Sequence, residues 1–379
     1  MGGQEKISID YLKMLSEKSE YEILLLINED NGKEGNVFLD KIPKKIKYKF
    51  VIEKEIISKI NKYRELKKGN IIYKLLYNYY LVKREKSYHK NIVEILKNLK
   101  YDYLIDFTCQ LPTELCDERV FSWVHLSLNT WKTKRIKELK EKVTKINKLV
   151  VLNEDMKEEG ERLLSVKNKI EVIPNFFDID EIKRLSLDNS NLNDKEKELL
   201  KDDYFFACCR IDKQKDIGTL VESYKILKEK YNIKEKLYIA GVGEQKERLE
   251  NLVKSYRLEK NIVFLGLQKN PYIWMKNAKF FVHSSHYEGF GLVLVEALIT
   301  NGMVISSDCP VGPREILENG KSGILFPVGD KERLVEEIKK ILIDKKMVEN
   351  YKNEARRRIE DFSKEKIKKK LLEMLDFTK

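Results

Sequence analysis

The chain has 379 residues and a mass of 44.9 kDa, a length typical of two or three domains. With 42% apolar residues, 10% aromatic residues, 17 Gly and 7 Pro, its composition excludes collagen-like, mucin-like and wholly disordered chains. The net charge of +12 comes from residues 41–100, which hold 18 Lys and Arg against 5 Asp and Glu, and this predicts an anionic partner: a membrane surface, a nucleic acid or a phosphorylated substrate.

Short β-branched or aromatic runs alternate with longer amphipathic segments, and this alternation predicts βα units and parallel sheets. The predicted strands of the first half are residues 22–28, 48–52, 103–108, 120–126, 148–153 and 169–173. Those of the second half are residues 204–209, 237–240, 262–265, 280–284, 304–306 and 324–326. Two sets of about six strands predict two doubly wound α/β domains, with a boundary in the polar stretch 174–203.

The five cysteines form no metal-like pair of pairs, and their odd number favours a reducing, cytosolic compartment over a disulfide framework. The first residues lack a basic start and an apolar signal core, and nowhere do 18 consecutive apolar residues occur. The sequence therefore predicts a cytoplasmic protein without a membrane-spanning segment.

The segment 284–330 carries the richest pattern of candidate binding residues. It predicts a tight turn at 288–291 followed by a helix, and in a doubly wound fold such a turn lies at the carboxyl edge of the sheet, where ligands bind. The backbone N–H groups of Phe290, Gly291 and Leu292 suit a phosphate at the helix start. Glu296 interrupts an apolar run, and its carboxylate predicts a salt bridge or a bound hydroxyl with equal weight.

Two cations, Arg210 and Lys215, lie five residues apart on the loop after a predicted strand. Together they are suited to a pyrophosphate, but two solvated surface cations are the better interpretation of these residues alone, by about two to one. The pair Gly241 and Gly243 resembles the start of a dinucleotide fingerprint. Lys246 stands where its third glycine belongs, so a tight strand-to-helix turn is a sufficient explanation.

Together these segments resemble the glycosyltransferase family 4 proteins, the retaining group 1 glycosyltransferases. The resemblance is specific in the second half of the chain and looser in the first. It rests on Glu288 and Glu296 inside EGFGLVLVEA, RIDKQKD at 210–216, VIPN at 172–175, AGVGE at 240–244 and GPREILENGKSGILFPVGD at 312–330. It implies a GT-B fold, in which two Rossmann-like doubly wound domains face a deep interdomain cleft.

The resemblance also implies the domains and the site. Residues 1–180 are expected to form the acceptor-side domain, residues 181–362 the nucleotide-sugar-binding domain, and residues 363–379 a C-terminal helix that packs back on the first domain. The implied catalytic residues are His125, Arg210, Lys215 and Glu288. The implied donor-binding residues are Gly2, Gly3, Arg210, Lys215, Gly241, Glu288, Gly289, Phe290, Gly291, Leu292 and Glu296, and no metal ion or other cofactor is expected.

Near its start, the family has a glycine-rich loop, matched here by Gly2 and Gly3 and followed by a predicted helix at 7–15. Such a loop lets the backbone approach donor or acceptor closely. The family places an apolar strand ahead of this loop, whereas this chain begins at the loop. We therefore expect the natural chain to start upstream of Met1, because a parallel sheet without a central strand has unpaired edges.

The histidines are further candidates. His125 ends a predicted strand where many family members carry a cleft histidine, and a structural hydrogen bond is the alternative from the residue alone. His283 and His286 are expected to line the sugar site, and zinc is disfavoured because no third ligand has a recognisable spacing. Asp178 and Asp180 imitate a metal-binding Asp-x-Asp, but their position before a predicted helix favours an N-terminal cap.

In the basic segment 41–100, tyrosines and leucines flanked by Lys and Arg are typical of an interfacial helix on an anionic membrane. Nucleic acid is the competing interpretation, weakened because no nucleic-acid motif accompanies the charge. The third interpretation is a general lysine bias of the genome, which would place lysine on every solvated helix face. We expect peripheral attachment to the inner face of the plasma membrane, since many family members act on lipid-linked acceptors.

The predicted function is therefore a retaining transfer of a sugar from a nucleotide-diphosphate donor, a UDP-hexose or UDP-N-acetylhexosamine, to a lipid-linked or surface-glycan acceptor. Such acceptors belong to bacterial polysaccharide or glycolipid biosynthesis, for example of lipopolysaccharide or capsule. One alternative is a phosphorylase-like or sugar-phosphate-forming enzyme on the same fold. A catalytically silent partner subunit and a nucleic-acid-binding protein are the others.

Overall fold

The structure, a computed structural model, describes residues 3–32, 36 and 38–376. The predicted strands are all confirmed, with ends shifted by about three residues or fewer. The strands are β1 Leu24–Glu29, β2 Lys47–Ile52, β3 Leu104–Asp106, β4 Val120–Trp123, β5 Lys148–Val151, β6 Ile170–Val172, β7 Tyr204–Cys208, β8 Lys236–Ala240, β9 Ile262–Gly266, β10 Phe281–His283, β11 Val304–Ser307 and β12 Ile324–Phe326.

The helices fill the gaps between the strands. They are α1 Gly3–Leu15, α2 Lys54–Leu66, α3 Ile71–Lys97, α4 Thr133–Lys145, α5 Glu154–Leu164, α6 Ile179–Leu185, α7 Asp194–Leu199, α8 Ile217–Tyr231, α9 Lys246–Ser255, α10 Tyr272–Asn277, α11 Leu292–Thr300, α12 Pro313–Ile316, α13 Lys331–Ile343, α14 Lys345–Arg358 and α15 Lys364–Asp376. No helix among the described residues combines the length and the apolar character that a bilayer crossing requires.

The strands form sheets of two, four and six strands, with the orders β1-β2, β3-β4-β5-β6 and β12-β11-β10-β7-β8-β9. The six strands of the first half are thus divided between two sheets, because the backbone of β1 pairs with β2 and not with β3. A side chain reaches between them instead: the Asn28 amide donates to the Gln110 carbonyl at 3.0 Å. All six strands predicted for the first half are present.

Backbone contacts divide the chain into two compact units. The first unit comprises Met1–Trp123 and Lys137–Leu149, and the second comprises Val124–Ile136 and Val150–Lys379. The boundary expected near residue 180 and the separate C-terminal segment stay predictions.

The six-stranded sheet is the core of the second unit. Its five pairings are all parallel, and its four inner strands β11, β10, β7 and β8 are almost wholly buried, as expected of a parallel sheet covered by helices. Phe205 on β7 stacks on Phe280, and both pack with Tyr224 of α8 in one apolar cluster. Because the strands are parallel, the loops that follow β7, β8 and β10 leave the same edge of the sheet.

Local signals set the helix ends. The Asp178 carboxylate accepts from the Glu181 N–H at 2.9 Å and caps α6, so the cap predicted for this aspartate is confirmed. Gly291 has φ +89° and lies immediately before α11, which confirms the helix predicted to follow the turn at 288–291. A left-handed conformation there favours glycine, because a side chain would be strained.

Candidate active site

The loop after β10 carries Glu288, whose carboxylate is almost completely buried. Lys215 donates to its Oε1 at 2.5 Å and Ser285 donates at 2.6 Å, while the His283 Nε2 lies 2.7 Å from the same oxygen. Since an ionised carboxylate only accepts hydrogen bonds, His283 must be a donor here. The second oxygen, Oε2, accepts no hydrogen bond from the described residues. One oxygen is therefore saturated and the other is available to a ligand.

Charge and burial act in opposite directions on Glu288. Burial raises the pKa of its carboxyl, but the hydrogen bond and charge of His283 and the Lys215 ammonium outweigh burial and hold that pKa well below its usual value. Glu288 is consequently ionised at neutral pH. It can accept hydrogen bonds or stabilise positive charge, but it cannot serve as a proton donor there.

Lys215 ends a short 3₁₀ turn, Lys213–Lys215, between β7 and α8. The β10 loop is fastened to this turn by three further hydrogen bonds: Ser284 Oγ donates to the Lys215 carbonyl at 3.0 Å, Gln214 Nε2 to the Tyr287 carbonyl at 2.8 Å, and the His286 N–H to the Gln214 carbonyl at 2.8 Å. The two loops therefore form one fixed surface around the Lys215–Glu288 pair.

The two predicted cations occupy different environments. The Lys215 side chain is only 13% exposed, whereas the Arg210 side chain is 72% exposed and lies 3.3 Å from Asp212. The interpretation of both as solvated surface cations is wrong for Lys215, because the β10 loop covers it and supplies the Glu288 carboxylate. Arg210 keeps its guanidinium fork open to solvent.

Glu296 lies on α11, and the Tyr272 hydroxyl donates to its Oε1 at 3.0 Å. Burial, the neighbouring Cys209 and the charge of Glu296 all raise the pKa of the Cys208 thiol, which ends β7. Glu288 and Glu296, the spaced pair of the sequence, thus lie before and within the helix that starts at the same edge of the sheet.

The start of α11 carries no side-chain cap. Of its first N–H groups, that of Leu294 donates to the Gly291 carbonyl at 2.9 Å, whereas those of Leu292 and Val293 have no intrahelical acceptor and suit an anion. Phe290, which precedes it, is buried against Phe177 and Phe362. This aromatic packing fixes the position at which the backbone of 290–292 presents its N–H groups.

The glycines after β8 have a steric explanation. A Cβ at Gly241 would lie 1.9 Å from the Cys209 carbonyl oxygen, and one at Gly243 would lie 2.2 Å from the Ile211 carbonyl oxygen. Only glycine lets the β8 turn pass so close to the β7 loop. The interpretation of this pair as a tight strand-to-helix turn is therefore sufficient, and the turn also supports the segment that carries Arg210.

His125 lies in the second unit, and its carbonyl oxygen would be 2.3 Å from a Cβ at Gly289. The backbone after β4 thus packs on the Glu288 loop. Glu159 holds the next turn: it accepts from the Ser127 hydroxyl at 2.7 Å and from the Leu128 N–H at 2.8 Å. This buried carboxylate could not be predicted from the sequence, since glutamate on an amphipathic helix is ordinarily exposed.

The remaining predicted site residues are His286, Gly2 and Gly3. His286 is half exposed, and its Nε2 lies 3.8 Å from Asp216. Ser285, which the sequence analysis did not single out, contacts Glu288 directly. Gly2 lies outside the described residues, and Gly3 begins α1. Within residues 3–32, 36 and 38–376, no three or more His, Cys, Asp or Glu side chains are grouped to hold a metal ion.

Residues 188–358 match the family model of the glycosyl transferases group 1. The matched residues include the Lys215 turn, the Glu288 loop and α11, which together form the geometry described above. The resemblance drawn from the sequence is confirmed at this level, and assignment to family 4 in particular stays a prediction.

Two curated relatives are similar to parts of the chain. An uncharacterized glycosyltransferase of Methanocaldococcus jannaschii is 41% identical over 154 residues, which are 40% of this chain and 37% of the relative. The N-acetylgalactosamine-N,N'-diacetylbacillosaminyl-diphospho-undecaprenol 4-alpha-N-acetylgalactosaminyltransferase of Campylobacter jejuni is 32% identical over 207 residues, 55% of this chain and 53% of the relative. The chain spans about half the length of the curated relatives it matches, or less.

The crystal structure of Anabaena HepE in complex with UDP-glucose resembles the chain over nearly its whole length. The TM-score is 0.72 at 17% identity, and the alignment covers 99% of this chain and 96% of that one. At this identity the likeness shows the fold. The fold is GT-B, with Rossmann-like halves, as the sequence resemblance implied.

Proposed function

We propose that the protein is a retaining glycosyltransferase that transfers a sugar from a nucleotide-diphosphate donor, a UDP-hexose or UDP-N-acetylhexosamine, to a lipid-linked or surface-glycan acceptor in polysaccharide or glycolipid biosynthesis. The observation that carries this proposal is the buried Lys215–Glu288 pair beside the uncapped start of α11. Two similar proteins support it further: the Campylobacter jejuni relative acts on a diphospho-undecaprenol-linked sugar, and HepE is known in complex with UDP-glucose.

The donor diphosphate is proposed to bind between Arg210, Lys215 and the N–H groups of 290–292. An ammonium group has three N–H donors, and one bond of Lys215 to Glu288 leaves donors for a phosphate. Arg210 offers a planar fork that fits phosphate oxygens in pairs. The partial positive charge at the start of α11 adds to both, so negative charge developing on the leaving diphosphate is stabilised.

Glu288 is proposed to orient the donor sugar rather than to attack it. Its Oε1 is saturated by three donors and its charge is balanced by Lys215, which makes the carboxylate a weak nucleophile. Its Oε2 is suited to accept a sugar hydroxyl. The acceptor oxygen then bonds to the anomeric carbon on the face from which the diphosphate departs. The broken bond leaves its electron pair on the phosphate oxygen, which takes the acceptor's proton.

The remaining site residues are assigned to the ends of the donor. Glu296, held by Tyr272, is proposed to bind the ribose hydroxyls, and Gly241 lets the nucleoside approach the backbone. His125 and Gly289, whose backbones pack together, are proposed to border the sugar. The acceptor is proposed to be reached at a cytosolic membrane surface through the basic residues 41–100.

A panel of UDP- and GDP-sugars, read by released nucleoside diphosphate, tests this function. The wild type is expected to release diphosphate from one donor, and Glu288→Gln is expected to lose most of that release. Glu250→Gln is the matched control, because Glu250 forms only an exposed ion pair with Lys246 at 3.5 Å. NMR of the transferred sugar should show the anomeric configuration of the donor.

Three results would contradict the proposal. Release of a sugar phosphate instead of a nucleoside diphosphate would identify a phosphorylase-like enzyme. Donor binding without turnover, unaffected by Glu288→Gln, would identify a silent partner subunit. Salt-sensitive binding to RNA or DNA, stronger than binding to anionic vesicles and without any binding of nucleotide sugars, would identify a nucleic-acid-binding protein.

A further inference from the structure

The first half of α3 exposes a row of large apolar side chains to solvent. Ile71, Ile72, Leu75, Tyr79 and Val82, called here the apolar stripe, are each 51–75% exposed. Positions 71, 75, 79 and 82 follow the spacing i, i+4, i+8 and i+11, so they lie along one face of the helix. A contiguous apolar face of this kind on an otherwise charged surface marks a contact site.

The opposite face of α3 is already occupied. Tyr73 and Tyr80 stack on Tyr63 of α2 with ring centroids 6.0 and 5.6 Å apart. Further along, Tyr77 and Tyr88 pack on an isoleucine cluster at α2 and the end of β2. The helix is therefore anchored by one face, and the apolar stripe is the face that the unit's own core does not use.

Lysines surround the stripe and extend it. Lys74 and Lys83 lie beside it, and Lys86 and Lys90 continue the same face towards the C-terminal end, four and eight residues after Val82; all four are exposed. Residues 71–97 carry five Lys and one Arg against two Glu. Apolar side chains followed by cations on one face match a bilayer, where acyl chains lie beneath anionic headgroups.

We propose that α3 lies in the headgroup region of an anionic membrane, with the apolar stripe inserted among the acyl chains and Lys83, Lys86 and Lys90 on lipid phosphates. Charge complementarity selects this occupant: a second copy of the chain would bring two segments of about +13 together. This proposal rests on the proposed function, because α3 would bind the membrane that holds the lipid-linked acceptor.

Flotation of the full chain with phosphatidylcholine vesicles, with and without phosphatidylserine, tests the proposal. The wild type should float with the anionic vesicles. Ile71→Gln with Leu75→Gln should weaken partitioning roughly tenfold or more, since each loses the gain from burying a large aliphatic side chain. Ile343→Gln is the matched control, because Ile343 is 79% exposed but lies on α13. Lys83→Gln with Lys86→Gln should instead remove the preference for anionic over neutral vesicles.

Equal flotation of the wild type and the stripe variant would overturn the proposal, as would a wild type that binds no vesicles. A wild-type dimer in light scattering that the stripe variant abolishes would assign the stripe to a second copy and overturn it too. A second measurement separates the membrane proposal from the proposed function: donor hydrolysis in solution should be equal in the wild type and both α3 variants. Vesicle binding without any hydrolysis would contradict the proposed function and leave this inference standing.

Discussion

Replacing Lys215 by Gln removes the cation from a pair whose side chains are 13% and 8% exposed. At an N–O distance of 2.5 Å and an effective dielectric constant of about 20, the Coulomb attraction is about 6–7 kcal/mol before desolvation of the two groups is subtracted. Breaking a buried pair from one side costs about 3–5 kcal/mol. Because His283 and Ser285 still donate to Glu288, we expect the lower figure, about 3 kcal/mol.

Urea unfolding and thermal melting measure this loss, and a Tm lower by roughly 6–12 °C corresponds to it for a unit of this size. Lys201→Gln is the matched control: its ion pair with Glu198 also spans 2.5 Å, but the two side chains are 71% and 70% exposed, so it should change stability by about 0.5 kcal/mol or less. Glu288→Gln and the double variant complete a cycle. The double variant should cost about 1–3 kcal/mol less than the sum of the single variants.

The stability that the Lys215–Glu288 pair provides depends on pH. Because the folded-state pKa of Glu288 is depressed, its contribution to the free energy of unfolding is fully present above its usual pKa of 4.5. This contribution is lost as the pH falls through the folded-state pKa. The stability gap between the wild type and Lys215→Gln should therefore be widest at neutral pH and should narrow in acid. Additive single variants, or a gap that widens in acid, would refute the buried pair.

Three other predictions concern further residues. Asp106→Asn should destabilise the first unit by about 3 kcal/mol in urea unfolding, because Asp106 and Lys142 form a buried pair at 2.6 Å; an unchanged midpoint would contradict this. Burial raises the pKa of Glu315 to about 6. The stability that its protonated form contributes is therefore fully present below pH 4.5 and is lost as the pH rises through 6. The Glu315→Gln variant should therefore be more stable than the wild type at pH 8. The gain is at most about 2 kcal/mol and is reduced by solvent screening, because Glu315 is partly exposed. Thermal melting at acidic pH should show no difference between the two proteins. Gly289→Ala should strongly reduce donor hydrolysis in a folded protein, because its Cβ would displace the His125 carbonyl; wild-type rates would contradict that packing.

The sequence predicted the strands because buried parallel strands are short runs of β-branched and aromatic residues with little ambiguity. It also predicted that the turn carrying Glu288 lies at the carboxyl edge of a parallel sheet and that Arg210 lies on a loop after a strand. It could not predict that Lys215 pairs with Glu288. The two residues are 73 positions apart, and their contact depends on the neighbouring positions of β7 and β10 in the sheet.

Other features had no local signal. Asp106 and Lys142 are 36 positions apart, and neither looks different from a surface charge until α4 packs beside β3. The basic segment was evident from composition, but the orientation of α3 was not. Tyrosines and leucines occur all around that helix, and only the packing of α2 against one face decides which of them remain exposed.

The central claim is that the diphosphate of a nucleotide sugar binds between Arg210, Lys215 and the start of α11. Isothermal titration of UDP into the wild type, Arg210→Ala and Lys215→Ala tests it most directly. We predict that the wild type binds UDP and that each variant, still folded by circular dichroism, binds at least about tenfold more weakly, since a charge-assisted phosphate contact contributes about 1.4 kcal/mol or more. Wild-type affinity in both variants would contradict the account.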